Sequence, residues 1–331
     1  MAQKSPSNLH KRLKRLTRPV RHRAAAPLLE MLRWLLRPLS HRFVLRLGRL
    51  LGWLAWRTSR RKRQLAERQL QETGLASDQT TARCMTRAVF ESLGMNFLES
   101  LFSLGWDPDR VKQVVGFAGK NDVEEKNQAS SGLILLTGHI GNWELITRAL
   151  HAYTGKAVMS VMAEGSNPWL NKWLARRRKV GESEMIMRED SARPMLRQIR
   201  RGGTIGVLAD MDSSRLRGIF VDFFGRPAYT AIGPAVLARR SGAPIQLIAI
   251  NRSPANPLHH EIVLGDPIRP DYNVDADTDI HSMTQRYTRQ LERVIRNHPE
   301  QWIWIHDRWR HRPGKTVKIK KKRPEKTPTP S

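Results

Sequence analysis

Residues 132–146 read GLILLTGHIGNWELI. Leu133 to Thr137 form an apolar run of strand length, the pattern of a strand covered on both faces. Gly138 and Gly141 then permit a tight turn, and Asn142 is a residue type that caps helix amino ends. Glu144 follows in what reads as a helix's first turn, where the helix dipole favours a carboxylate. Strand, turn and helix in this order open a βα unit, with His139 at the carboxyl end of the strand.

Working outward, further apolar runs rich in Val and Ile occur at AVMSVM, TIGVLA, GIFVDFF, PIQLIAI and HHEIVL. Helical stretches lie among them: NPWLNKWLARRRK, SARPMLRQIRRG, TAIGPAVLARRSG and finally DIHSMTQRYTRQLERVIRNHP. Residues 64–105 are helical in pattern throughout. Alternating strands and helices predict an α/β fold, with a mostly parallel central sheet flanked by helices. In such folds the ligand crevice lies at strand carboxyl ends. Asp210, after TIGVLA, takes the same place on its strand as His139 does on GLILLT.

The chain of 331 residues carries a formal net charge of +28, and that charge sits at its ends. Residues 1–63 hold 18 Lys and Arg against Glu30 alone, and residues 308–331 hold 10 against Glu325. Three regions follow: a basic amphipathic region at 1–63, an α/β domain at 64–312 and a disordered basic tail at 313–331. Between residues 27 and 63, Leu, Trp, Phe and Val interleave with Arg at helical spacing, and Pro38 divides the pattern in two. Arg46, Arg49 and Arg57 interrupt the best apolar stretch, so a clean membrane span is not indicated, and no uninterrupted apolar run follows the basic start as a signal peptide would need. The region reads as an interfacial membrane anchor, with Trp34, Trp53 and Trp56 at headgroup depth and Arg on anionic lipid. The alternative is an amphipathic helix packed on the domain with its Arg residues in solvent.

Cys84 is the single cysteine, so an intramolecular disulfide and CxxC metal sites are excluded; its helical setting predicts a buried free thiol. A reducing cytoplasmic setting fits. No metal or cofactor is expected. An imidazole near neutrality can take a proton from a hydroxyl, and a carboxylate on its other ring nitrogen fixes its orientation. Backbone N–H groups near Gly141 could receive an oxyanion. The alternative is a His that merely hydrogen-bonds in a turn and a Glu placed there for the dipole.

GHIGNWE, with four residues between His139 and Glu144, resembles the HX4D/E motif of the glycerolipid acyltransferase superfamily. FFGRPAYTAIGPAVLARRSGAP at 223–244, NPWLNKW, RRGGTIGVLADMD and PEQWIWIHDRWRHRP are similar, in order, to segments of the lipid A biosynthesis acyltransferases of lauroyl and myristoyl type. The resemblance covers most of residues 43–313. It implies acyl transfer from a thioester, usually on acyl carrier protein with coenzyme A as the other possible carrier, to a hydroxyl of a lipid acceptor at the cytoplasmic face of the inner membrane. By position, His139 would be the general base and Glu144 its acidic partner, orienting the ring and stabilising the imidazolium. The family's later Asp is Asp210 or Asp212, with Asp210 favoured because it directly follows its strand. Gly141, Asn142, Phe224, Gly225 and Thr230 would support the site or bind substrate. The family usually has Arg-Pro shortly before the Asn-Pro of SNPWL. Ala163-Glu164 stand there in this chain, with Arg176, Arg177 and Arg215 as possible substitutes.

Two other readings compete. Asp210 and Asp212 form an Asp-x-Asp that could hold a divalent cation on a sugar nucleotide, as in a glycosyltransferase. The basic ends could instead belong to a scaffold that binds membrane or nucleic acid, although no nucleic-acid motif is present. His259 and His260 are adjacent in a strand-like run, point to opposite faces and make a poor metal pair. Trp302, Trp304 and Trp309 are expected to pack the C-terminal segment on the body.

Overall fold

The computed structural model describes residues 18–118, 132–162, 167–187, 191–213, 215–315 and 317. Two helices open the described chain, α1 (Arg18–Leu36) and α2 (His41–Thr58), separated at Pro38 and restarted at Ser40, whose hydroxyl accepts from the Phe43 N–H at 3.3 Å. Helices α3 (Arg60–Glu72) and α4 (Gln79–Phe102) follow, then the short α5 (Pro108–Val114) and strand β1 (Val115–Phe117). The 63/64 boundary drawn on charge therefore falls inside α3.

From there strands and helices alternate: β2 (Leu133–Thr137), α6 (Glu144–Thr154), β3 (Val158–Met162), α7 (Pro168–Arg178), β4 (Met185–Met187), α8 (Ala192–Arg200) and β5 (Thr204–Leu208). A hairpin, β6 (Gly218–Phe223) and β7 (Arg226–Ala231), precedes α9 (Gly233–Ser241), β8 (Ile245–Arg252), β9 (His260–Leu264) and α10 (Ala276–Asn297). The seven-stranded sheet runs β1-β9-β8-β2-β5-β3-β4 and is parallel except where β8 meets β9. The expected α/β architecture is present.

β2 lies at the centre, which explains its unbroken apolar sequence. Ile134 and Leu136 face a core built with α9, α10 and the C-terminal tryptophans, while Leu135 faces a second core built with α5 and α6. Trp302, Trp304 and Trp309 are buried there, as the packing reading expects.

Three details depart from the sequence reading. GIFVDFF forms a strand outside the main sheet, and TAIGPAVLARRSG is helical only from Gly233, because Thr230 and Ala231 complete β7. Cys84 is exposed, on the outer side of α4.

The basic amphipathic region is built into the body. On α2, Gly48 and Gly52 lie one turn apart against Gly94 of α4; a Cβ on Gly52 would meet the Phe90 carbonyl at 2.2 Å, and one on Gly94 the Gly48 carbonyl at 2.2 Å. Only backbone fits at that crossing. The outer faces remain apolar and cationic together: Leu28, Met31, Trp34 and Leu35 on α1, and Phe43, Leu50, Leu51 and Leu54 on α2, are exposed beside Arg42, Arg46, Arg49 and Arg57. No helix among the described residues is long and apolar enough to cross a membrane. Most of the basic tail, residues 316 and 318–331, lies outside the described residues, as do residues 1–17 and Ala163-Glu164.

Candidate active site

The site begins with strand register. β2 and β5 are parallel neighbours with Thr137 opposite Leu208, so the residues just past their carboxyl ends, Gly138-His139 and Ala209-Asp210, come side by side. The Asp210 carboxylate then holds His139 at two points: Oδ2 accepts from the His139 backbone N–H at 2.7 Å, and Oδ1 sits 2.8 Å from the ring Nδ1. Trp302 Nε1 donates to Oδ2 at 2.9 Å and fixes the carboxylate in turn. Gly138 leaves room for this approach, since a Cβ there would stand 3.2 Å from Asp210 Oδ2 and 2.9 Å from Leu291 Cδ1.

The two groups tune one another. Burial raises the Asp210 carboxyl, but the His139 charge and hydrogen bonds outweigh it and lower Asp210 to about 2. Burial lowers the His139 imidazole; the Asp210 charge and hydrogen bond, with Glu144 behind them, more than reverse this, so its net direction is upward. Asp210 is therefore ionised and accepts from an Nδ1–H, which leaves Nε2 as the ring's basic nitrogen. The His139 side chain is 22% exposed, and the ring lines a cavity of about 380 Å³. That cavity is walled by Leu135, Leu150, Val161, Met162, Leu174 and Ile248, with Trp143 edge-on to the imidazole at 4.9 Å. A mostly apolar cavity ending at a carboxylate-held imidazole suits a ligand with a long hydrocarbon part and a reactive carbonyl or hydroxyl at its end.

The structure corrects several roles assigned from sequence. Glu144 does not orient the ring: its carboxylate forms a two-point pair with Arg178 of α7, with Nε to Oε2 at 2.8 Å and the Nη2–Oε1 contact beside it. Glu144 and Arg178 both line the cavity. Asn142 does not cap α6, whose N-cap is Trp143 without a side-chain bond. Instead its amide donates to Glu99 Oε2 at 2.8 Å and accepts from Ser100 Oγ at 2.9 Å. Gly141 does require its glycine, with φ +53 and a Cβ position 1.9 Å from the Ile250 carbonyl. Its N–H is already given to the Gln301 carbonyl at 3.0 Å, so it is not an oxyanion donor.

Phe224, Gly225 and Thr230 are away from the cavity. Phe224 and Gly225 form the two-residue turn between β6 and β7, with φ 56 and 70, the left-handed pair that matches strand twist. The Phe224 ring packs on Trp304 and under the Arg296 guanidinium. Thr230 accepts from Arg308, a buried arginine of the C-terminal segment. Asp212 is equally occupied, by Arg310 at 2.9 Å, the His311 ring and the His311 N–H at 2.9 Å. The Asp-x-Asp carboxylates are thus directed at separate sets of protein donors, and no group of three or more potential metal ligands occurs among the described residues. His259 is exposed and His260 buried, on opposite faces as expected.

Three features escaped the sequence reading. Arg178 carries no local signal, being the last of three consecutive arginines. Trp302 serves Asp210 as well as the core. Behind the loop, Glu99 of α4 is wholly buried and collects Arg252 Nη1 at 3.1 Å, His41 Nε2 at 2.7 Å, His260 Nε2 at 3.0 Å and Asn142. Asn96, one turn earlier, donates to the Gly141 carbonyl at 2.8 Å. The 138–142 loop is therefore braced from α4.

A family model described as bacterial lipid A biosynthesis acyltransferase matches residues 15–311. The chain is 27% identical over 263 residues to the lipid A biosynthesis lauroyltransferase of Escherichia coli (strain K12), covering 78% of this chain and 82% of that protein. It is 24% identical over 225 residues to the lipid A biosynthesis palmitoleoyltransferase of the same organism, covering 68% and 71%. Among solved structures, the 1-acyl-sn-glycerophosphate acyltransferase PlsC of Thermotoga maritima aligns over 76% of this chain and 98% of that one, at 10% identity and a TM-score of 0.32.

Proposed function

Since the chain belongs to the family of bacterial lipid A biosynthesis acyltransferases, and is an acyltransferase acting on a lipid A-type acceptor, we propose that it moves a fatty acyl group from a thioester to an acceptor hydroxyl with His139 as general base. The observation that carries this reading is the Asp210-held imidazole at the wall of the apolar cavity. His139 Nε2 takes the hydroxyl proton as the oxygen attacks the thioester carbonyl. Asp210 stabilises the imidazolium so formed, and the same proton passes to the departing thiolate. A thioester is already activated, so no acyl-enzyme is required. The oxyanion falls to the first turn of α6, which no side chain caps. The catalytic cavity holds the chain being transferred, and the Glu144–Arg178 pair borders the reacting atoms.

The donor is acyl carrier protein thioester, whose acidic surface suits a basic enzyme, with acyl-coenzyme A as the alternative carrier. Residues 1–63 form the membrane-associating region; the outer faces of α1 and α2 lie on anionic lipid at the cytoplasmic face of the inner membrane, as a peripheral or N-terminally anchored arrangement. Nucleic acid has no part in this reading.

The test is transfer of labelled acyl chains from each carrier to a panel of lipid A precursors and phospholipids in mixed micelles, with and without chelator. Wild type transfers label without added metal, and His139→Ala loses roughly 10²- to 10⁴-fold in rate with its thermal unfolding unchanged. Retained turnover in folded His139→Ala, or dependence on a sugar nucleotide and divalent metal, overturns it.

A further inference from the structure

A second cavity, of about 300 Å³, lies on the other side of the Trp143–Glu144 wall. It is enclosed by Leu29 of α1, Leu93, Phe97 and Leu101 of α4, and Trp173 of α7. Leu104, Trp143, Glu144, Leu170, Leu174 and Arg178 line both this cavity and the catalytic one, so the two meet at the residues beside His139. Its roof is held by polar contacts: Trp173 Nε1 donates to Glu30 Oε2 at 3.0 Å, Arg177 pairs with Glu30 Oε1 at 3.0 Å, and Asn167 Nδ2 donates to the His22 carbonyl at 3.0 Å. These bonds fix α1 over α7 and leave the space between them apolar.

Acyl transfer onto a lipid that already carries acyl chains brings two hydrocarbon parts to one imidazole, the chain in transit and a chain of the acceptor. Both need shelter from water, and they cannot share a slot, because they are attached to different atoms. We propose that the second cavity is the acceptor site, taking an acyl chain of the acceptor lipid while Arg178, where the two cavities meet, lies toward that lipid's anionic headgroup. This rests on the acyltransfer reading above. The assignment of cavities follows from position. His139 lines the first cavity and not the second, so the carbonyl to be attacked belongs to the first. The second is walled by α1, whose neighbouring Leu28, Met31, Trp34 and Leu35 are exposed. The cavity therefore lies directly behind a face suited to a bilayer surface, from which an acceptor chain would enter. α1 is then a wall of the binding site as well as a membrane contact.

Two substitutions separate the cavities in the full chain. Gly206 lines the first, where an added Cβ would make only ordinary contacts, 3.4 Å to Val158 Cγ1 and 3.5 Å to Ser160 Oγ, so Gly206→Leu occupies that space. Leu29→Trp occupies the second, and Leu93→Trp does so from the opposite wall should the first variant unfold. The expected result is that Leu29→Trp or Leu93→Trp raises the acceptor KM by about tenfold or more with donor chain-length preference unchanged, whereas Gly206→Leu moves that preference to shorter chains. A Leu29→Trp or Leu93→Trp enzyme that changes donor chain preference, or keeps its acceptor KM within about threefold, overturns the assignment. A readout independent of turnover uses a monoacyl phosphatidic acid with a diazirine at its chain end, in phosphatidylglycerol vesicles. Cross-links to the inner residues Leu93, Phe97 and Leu101 of α4, lost in Leu29→Trp, support the site even if no acyl transfer is detected. Cross-links confined to the outer face of α1 overturn it.

Discussion

Asp210 and Glu99 are both buried carboxylates that hold imidazole rings, but the ring Asp210 holds lines the apolar cavity while those Glu99 holds are buried. Asp210 fixes Nδ1 of His139 and leaves the rest of a partly exposed ring to the apolar chamber. Glu99 binds His41 and His260 through their Nε2 atoms, and their Nδ1 atoms end in protein without a hydrogen-bond partner. Burial, with the Arg252 charge beside it, lowers the His260 imidazole by more than Glu99 raises it. Burial also raises the Glu99 carboxyl, but the charges of His260 and Arg252 and the hydrogen bonds hold it well below the usual carboxylate range. The same pair of functional groups makes the proposed base in one place and a brace in the other. What separates them is whether the far side of the ring meets open space.

That contrast can be broken or sharpened by substitution. The largest effect belongs to Asp210→Asn, which removes the charge that stabilises the imidazolium. Turnover is expected to fall by roughly 10²- to 10⁴-fold. Because Asp210 raises the His139 pKa, and the neutral ring is the active form, activity rises with pH through that pKa. Its loss moves this limb of the profile to lower pH, and an unmoved or upward limb would contradict the pairing.

Glu99→Gln tests the brace, because it puts an amide donor among donors and leaves Arg252 buried without its anion. Denaturant unfolding should show a loss of about 3–5 kcal/mol. The pH limb assigned to His139 should stay in place in whatever fraction folds, and a displaced limb would show that Glu99 acts on the catalytic ring directly.

The smallest effect is expected at Thr230→Val, where a buried Arg308 donor loses its acceptor. Stability should fall by about 1–3 kcal/mol, with KM for both substrates unchanged. A changed KM would return Thr230 to the substrate site.

How much of this was legible depended on sequence distance. His139 and Asp210 were both readable as residues following strands, because strand-length apolar runs mark their own carboxyl ends. Their pairing was not, since β3 and β4 lie between them in sequence and only the order of strands in the sheet makes β2 and β5 neighbours. Glu144 took the role of partner on proximity, yet one turn of helix and Arg178 direct its carboxylate elsewhere. Phe224, Gly225 and Thr230 formed part of a recognisable pattern for a different reason. A positive-φ turn and a packed hairpin constrain residue type as strongly as a binding site does, and a sequence does not say which constraint is operating.

By itself the sequence determined the α/β alternation, the membrane-suited amphipathic face and the family, because each is written in local periodicity or in ordered short motifs. Only the tertiary structure decided that Asp210 holds the imidazole, that Glu99 braces the loop, and that α1 closes a second cavity beside the first. Those three depend on contacts between residues far apart in the chain, set by strand register and helix packing, which no local pattern encodes.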